Sequence, residues 1–542
     1  MTRHRQFLAD QRGFTMVSVM LSMMVVGLFA VGAWQAAVGD IPIARGDQDR
    51  KRAYEAAEAG LQWYGFQLQR DPTYWSKCTS VPAIAAGQPA PVNQEWKTGS
   101  TDPRQWRTLI ASGEEYTIEL LPATGQSSCN TANPSQSMIE NGTMRIRATG
   151  RANGDKRSLV ATYRRRSFVD FVWFTQWETL DPLAYSPTAS FGPSQAAANC
   201  DDPRTVRDTA SSNRCTEIQF ITGDYIKGPL HTNDESFLTC GNPQFGRTGD
   251  RIEIAGPMPG NVEACTSNPN WAGTRLAPAP TLSMPPSNSQ LSGLADAANG
   301  YRFTGNTCLR FNGTTVDYWS GAQATTPSWN STSTTATPCT GPQTGTLAWP
   351  PPNGNKVIYV QNGAGCTSSY SYRQTYNNNV NCGDVMVWGT YGIDATIGAQ
   401  NDIIVKDDLL KTGDSMLGLI ANNFVRVYHP ATMSSGNCSA GSGSNDPRML
   451  GNVEIDAAIL ALNHSFIVDN WGCGSSQGNL KVVGAIAQYY RGPVGTSGGG
   501  TSGYYKDYNY DDRLRYKEPP NFLDPVQTQW NLMRRSEQQP AR

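Results

Sequence analysis

Charge is what this 542-residue chain has least of: Asp, Glu, Lys and Arg together make up 16% of it, against the usual quarter. The signs nearly cancel, 44 basic against 45 acidic residues, leaving a net charge of -1. Phosphate binding needs clustered Lys and Arg, so this balance argues against nucleic acid as the main partner. Arg164-Arg165-Arg166 is too short a run to change that, and reads as the end of an exposed strand. Histidine is scarcer still, at four residues: His4, His231, His429 and His464. No GxSxG elbow, HExxH or Walker loop occurs, so an enzyme is not expected. No two cysteines form a CxxC pair, which argues against zinc and thiol redox chemistry.

One stretch lacks charge altogether. Phe14 to Val38 is apolar with no acidic or basic residue, and at about 1.5 Å per residue a helix of this length crosses a bilayer. Arg3, Arg5 and Arg12 precede it, which predicts a cytoplasmic leader and an exported remainder. An ordinary secretory signal is cut after its apolar core. Here the small residue Gly13 stands before it, in Arg12-Gly13-Phe14, so cleavage there would keep the helix.

The strings RGFTMVSVMLSMMVVGLFAV and KRAYEAAEAGLQWYGFQL resemble the type IV pilin and pseudopilin superfamily, specifically over about 70 residues and more loosely to about 165. The resemblance implies that a prepilin peptidase cuts between Gly13 and Phe14, with methylation of the new terminus. It also implies that the apolar helix packs against other pilins or pseudopilins. One position departs from the family. Its members usually carry Glu five residues into the mature chain, and here that residue is Ser18. A filament core brings each terminal ammonium into an apolar medium, where a neighbouring carboxylate compensates it. Among type II secretion pseudopilins the member lacking the acid is the large one at the tip. By resemblance, the chain looks like a minor, tip-located subunit.

Five segments are expected: a leader over 1–13, the membrane or filament helix over 14–38, a pilin-like helix and antiparallel sheet over 39–167, a disulfide-rich β-domain over 168–500, and a capping segment with a polar tail over 501–542. Pro42 removes a helical hydrogen bond and predicts a bend. Tyr54, Ala57, Leu61, Tyr64 and Leu68 then recur at helical spacing. Strands are expected at 116–121, 143–149 and 158–164, with 78–110 as loop. Beyond Phe168 the chain is rich in Gly, Asn, Ser, Thr and Pro, with a helix expected at 289–298. GLIA (418–421), AILA (458–461) and GAIA (484–487) read as successive equivalent positions, as do 226–230 and 254–258. Apolar runs without strict alternation favour buried parallel strands in a β-solenoid over a β-sandwich. Long inserts then leave it at 262–352, 366–382 and 431–449, segment 502–525 caps its open end, and Arg534–Arg542 lacks fixed structure.

Twelve cysteines, Cys78, Cys129, Cys200, Cys215, Cys240, Cys265, Cys308, Cys339, Cys366, Cys382, Cys438 and Cys473, are even in number and widely spaced. In an exported chain they read as disulfides, with sequence neighbours such as Cys200 and Cys215, or Cys366 and Cys382, as the simplest pairing; connectivity stays open. His231 in GPLHTND, beside Asn233 and Asp234, is a candidate base or metal ligand, though such residues more often build a turn. His429 and His464 lie at the ends of apolar runs. No cofactor is expected, with calcium at Asp407-Asp408 or Asp511-Asp512 as the exception to weigh. Trp173, Trp177, Trp319, Trp388 and Trp471 are among fourteen tryptophans that serve as core or as stacking platforms for sugars or partner surfaces.

These features lead to a minor pilin or pseudopilin, anchored in the cytoplasmic membrane by one helix, its bulk extracytoplasmic, and extracellular once in a filament. Its expected partners are other pilins, the prepilin peptidase, the membrane, and a polysaccharide, host or abiotic surface. Two rivals stand beside it: a membrane-tethered β-solenoid that binds or cleaves polysaccharide, and a DNA-uptake pilin.

Overall fold

The computed structural model describes the chain except residues 1–13, 82–95, 99–101, 110–112, 132–133, 141, 210–214, 257–261, 268, 297, 322–338, 340–341, 368–369, 375, 377–379, 433–437, 439, 442–444, 447–449, 498–500 and 527–529. It divides into two compact units. The first comprises Met1–Glu140, Met144–Tyr163 and Leu532–Arg542, and the second Asn141–Thr143 and Arg164–Asn531.

The first unit is a helix on an antiparallel sheet. The helix Phe14–Arg70 is continuous for 57 residues, with Pro42 inside it rather than at an end. Its later half buries Ala53, Ala56, Ala57, Leu61, Tyr64 and Leu68, while Tyr54 is only half-buried. The small residues of AAEAG form the contact face, which lets the helix lie close to the sheet. A Cβ on Gly60 would sit 2.9 Å from the Tyr116 ring. Glu115–Leu121, Thr143–Ala152 and Asp155–Arg165 cover the three strands expected from sequence, and Ile118 pairs with Ala148 and Leu120 with Ile146. Trp96–Thr98 and Gln105–Thr108 add two strands where loop was expected. Their Trp96 and Trp106 are buried aromatics, so each short strand gains an anchor that compensates for its length.

The tail is a further correction. Trp530–Gln538 is a strand at the edge of this sheet, beside Asp155–Arg165. Arg157 pairs with Glu537 at 2.5 Å and Arg147 Nε donates to Gln538 Oε1 at 2.7 Å. The polar composition that suggested disorder is what an edge strand exposed on both faces can carry.

The second unit is built on parallel ladders. One column runs through Tyr301, Ile358, Ile397, Leu419, Ile459, Ile486, Trp173, Leu230, Ile252 and Arg275, each rung parallel to the next. GLIA and AILA are in register, Gly418 opposite Ala458, whereas GAIA is displaced by one residue, Ala458 facing Ala485. A second column runs through Phe311, Gly389, Leu409, Ile455, Val482, Tyr508, Ile226, Phe245 and Trp271. The apolar members of both columns belong to or pack on one continuous core. Gln219–Ile221, Phe237–Gly241 and Val262–Ser267 form a smaller parallel sheet.

Chain order and stacking order differ. Trp173 lies in the middle of the first column, against Ser476–Arg491, the last of that column's strands in chain order. Both ends of the column lie in the segment expected as one insert, at Thr274–Leu276 and Tyr301–Thr304. The intervening chain crosses the rungs as a strap: Ala279 N donates to Ile254 O, Leu282 N to Asn233 Oδ1, and Asn288 Nδ2 to Ala399 O and Ile420 O. The helix Ser289–Leu294 sits on this strap, shorter than expected. The paired runs 226–230 and 254–258 are not equivalent rungs, since Thr232 faces Ile254.

Segment 502–525, expected to cap an open end, begins within the ladders instead. Its strand Ser502–Tyr510 lies inside the stack, Tyr508 between Val482 and Ile226. Tyr504, Lys506, Tyr508 and Tyr510 alternate as its buried positions, the period of two that a strand imposes.

Candidate functional site

One helical segment stands out by exposure. Met16–Gln35 has mean hydropathy 2.2 and none of it is buried; it is the one helix, among the described residues, long and apolar enough to cross a membrane. Met16, Phe29 and Trp34 are each more than 70% exposed. A helix apolar on every side is stable only when lipid or other apolar helices surround it. Ser18 lies on this segment, exposed, and supplies no carboxylate. Gly13 lies outside the described residues, and Phe14 is the first residue of the helix.

The three histidines among the described residues are each held by neighbouring side chains or backbone. His231 is fully buried, with Nδ1 2.8 Å from Glu253 Oε2 and Nε2 2.9 Å from Asn233 Oδ1. Arg166 pairs with the same Glu253. The Asn233 amide reaches Leu282 O on the strap, so this cluster fastens the strap to the first column. His429 is buried, its Nδ1 2.8 Å from Asp469 O, and burial pushes it down to about 4. His464 stacks on Phe424 at 4.5 Å and lies 3.1 Å from Asp181; although burial opposes its charge, the Asp181 carboxylate raises its pKa. His4 lies outside the described residues.

The two acidic pairs have separate hydrogen-bond partners. Asp408 accepts from Glu454 N, Asp511 from Arg513, and Asp512 from Arg247 and Arg515. No group of three or more His, Cys, Asp or Glu forms a metal-binding cluster among the described residues. Of the singled-out tryptophans, Trp173 and Trp319 are buried, and Trp177, Trp388 and Trp471 half-buried.

Disulfides join Cys78–Cys129, Cys200–Cys215, Cys308–Cys339, Cys366–Cys382 and Cys438–Cys473, each cysteine to its neighbour in the cysteine order. Cys240 is disulfide-bonded as well.

Sequence reasoning missed the buried charges of the second unit. Arg426 lies 2.9 Å from Asp402 and 3.1 Å from Asp469. Tyr376 donates to the other Asp469 oxygen at 2.9 Å from the loop tied by Cys366–Cys382. Burial raises Asp469 to about 6, outweighing the adjacent Arg426. Arg491 pairs with Glu178 at 2.9 Å, Arg207 with Asp234 at 3.0 Å, and Lys506 with Asp224 at 2.6 Å. The first pair joins two neighbouring strands of the ladder, and the third ties Asp224, which lies outside the strands, to the ladder. The available signal was the recurring turn AQND, ANNF and ALNH at 399–402, 421–424 and 461–464, whose Asn side chains bond from one turn to the next: Asn423 Nδ2 donates to Asn401 Oδ1, and Asn463 Nδ2 to Asn422 O.

No family model and no curated protein sequence matches the chain. Among solved structures it is similar to the competence-associated pilin ComZ from Thermus thermophilus at 12% identity, over 90% of this chain and 98% of that one, with a TM-score of 0.25. A score that low leaves the functional reading to this chain's own residues.

Proposed function

We propose that the chain is a pilin-like subunit, cut between Gly13 and Phe14 by a prepilin peptidase and held in the cytoplasmic membrane, or in a filament, by its N-terminal helix. The observation that carries this reading is the exposed apolar segment Met16–Gln35, continuous with a helix whose small-residue face rests on an antiparallel sheet. In a filament outside the bilayer, packing several such helices shields their apolar surface from water, which stabilises by about 25 cal/mol per Å².

The second unit reads as a parallel β-solenoid displayed outside the membrane, supported by its two columns of in-register parallel rungs. Its role in this reading is surface contact, without turnover and without a cofactor. Ser18 and the size of this unit both favour a rare subunit at the tip. No side chain there neutralises a neighbouring terminal ammonium, and a large appended unit is least crowded at a filament end.

A label on the second unit, imaged on isolated filaments, tests the reading. Label at one end supports the tip role. Regular decoration along the shaft defeats it, and absence from filaments altogether defeats the assembly role.

A further inference from the structure

A cavity of about 280 Å³ opens on the second unit, bounded by Thr216, Gln219, Ser476, Tyr505 and the Asp224–Lys506 pair, with Trp471 and Tyr504 also in its wall. Its volume is near the lower end of the range for small-ligand sites, about 300 Å³. Three strands build it, Gln219–Ile221, Ser476–Arg491 and Ser502–Tyr510, so its wall is ordered by the ladders.

Its charges are internally spent. Lys506 Nζ lies 2.6 Å from Asp224 Oδ2, and the same carboxylate accepts from Ile221 N at 3.0 Å and Lys506 N at 3.2 Å. Glu217, also in the wall, pairs with Arg204 and Arg207 at 3.3 Å each. Among the described lining residues an anion finds no unpaired cation and a cation no unpaired carboxylate, and displacing the buried Asp224–Lys506 pair would leave a charge without compensation. What remains is a mixed lining. Tyr505, Tyr504 and Trp471 supply aromatic surface, and Gln219 and Thr216, exposed at the rim, supply donors and acceptors.

We propose that this cavity binds a neutral sugar residue, whose C–H face suits an aromatic wall and whose hydroxyls suit the amide and hydroxyl rim. The site gives the displayed unit a saccharide ligand class, and it stands independently of how the first unit assembles.

The test uses the full chain in detergent, titrated by calorimetry with glucose, galactose, mannose, N-acetylglucosamine and the disaccharides cellobiose, lactose and chitobiose. Saturable binding of at least one is expected. Tyr505→Ala should weaken it about tenfold and Tyr505→Phe should retain most of it. Gln219→Trp, an exposed rim position, should block entry without shifting the unfolding temperature. Failure of every neutral sugar to bind overturns the proposal. So does preferential binding of glucuronate or glucose 6-phosphate, or binding that survives both Tyr505→Ala and Gln219→Trp.

Discussion

Gly150 and Ala53 meet where the helix of the first unit crosses its sheet: a Cβ on Gly150 would lie 2.0 Å from the Ala53 carbonyl oxygen and 2.4 Å from Ala57 N. Both obstacles are helix backbone and cannot rotate away. The closeness of helix and sheet is therefore set by the absence of a side chain at one strand position and by the small residues Ala53, Ala56 and Ala57 opposite it.

Gly150→Val should accordingly force the helix off the sheet. Overpacking a rigid contact costs about 1–3 kcal/mol or more, so the first unit should melt several degrees lower, whereas Gly154→Ala, where nothing lies within 4 Å, should lose only what its positive φ demands. Differential scanning calorimetry of both variants checks this. Equal losses would contradict the close approach.

Disulfide removal should be graded by loop length. Cys78–Cys129 closes a separation of 51 residues and Cys200–Cys215 one of 15. Chain entropy makes the first worth about 1 kcal/mol more than the second, within a typical contribution of about 2–4 kcal/mol each. Denaturant unfolding of the two double-Ala variants measures the difference. Alkylation of denatured, unreduced protein should label almost no thiol, and several labelled thiols would place the cysteines in a reducing compartment.

His429 should make the second unit sensitive to acid. Its folded pKa is depressed to about 4 by burial, so its contribution is present above the ordinary histidine value of about 6.5 and is lost as pH falls through about 4, by roughly 3 kcal/mol in all. Asp469 runs the other way: raised to about 6, its contribution is full below the ordinary aspartate range and is lost as pH rises through about 6. The wild-type profile mixes the two. The comparison of wild type with His429→Gln isolates the first, and the stability gap between them should move against the wild type between pH 6.5 and 4. A gap independent of pH would mean that His429 titrates as an exposed residue does.

Processing offers the sharpest check on the proposed function. N-terminal sequencing of exported protein should start at Phe14, and Gly13→Leu should accumulate uncut precursor in the membrane, because a side chain there crowds the peptidase site. A start beyond Val38 would remove the helix on which assembly depends and end the pilin-like reading.

The sequence alone determined what depends on neighbours within a few turns or one strand. The apolar helix, its amphipathic continuation and the strands over 116–121, 143–149 and 158–164 were legible because periods of 3.6 and 2 are local properties. So was the register of GLIA on AILA, since each buried rung needs its own apolar run. Tertiary structure decided the rest. That Trp173 follows Ile486 in the column, and that Ser502–Tyr510 lies inside the stack, depends on backbone pairing between distant segments that leave no periodic trace. Irregular loops between rungs hide the repeat. Which charges are buried was equally illegible: Arg426, Arg491 and Lys506 look like surface residues in sequence, and only the loops folded over them, with Asp469, Glu178 and Asp224 in reach, make burial tolerable.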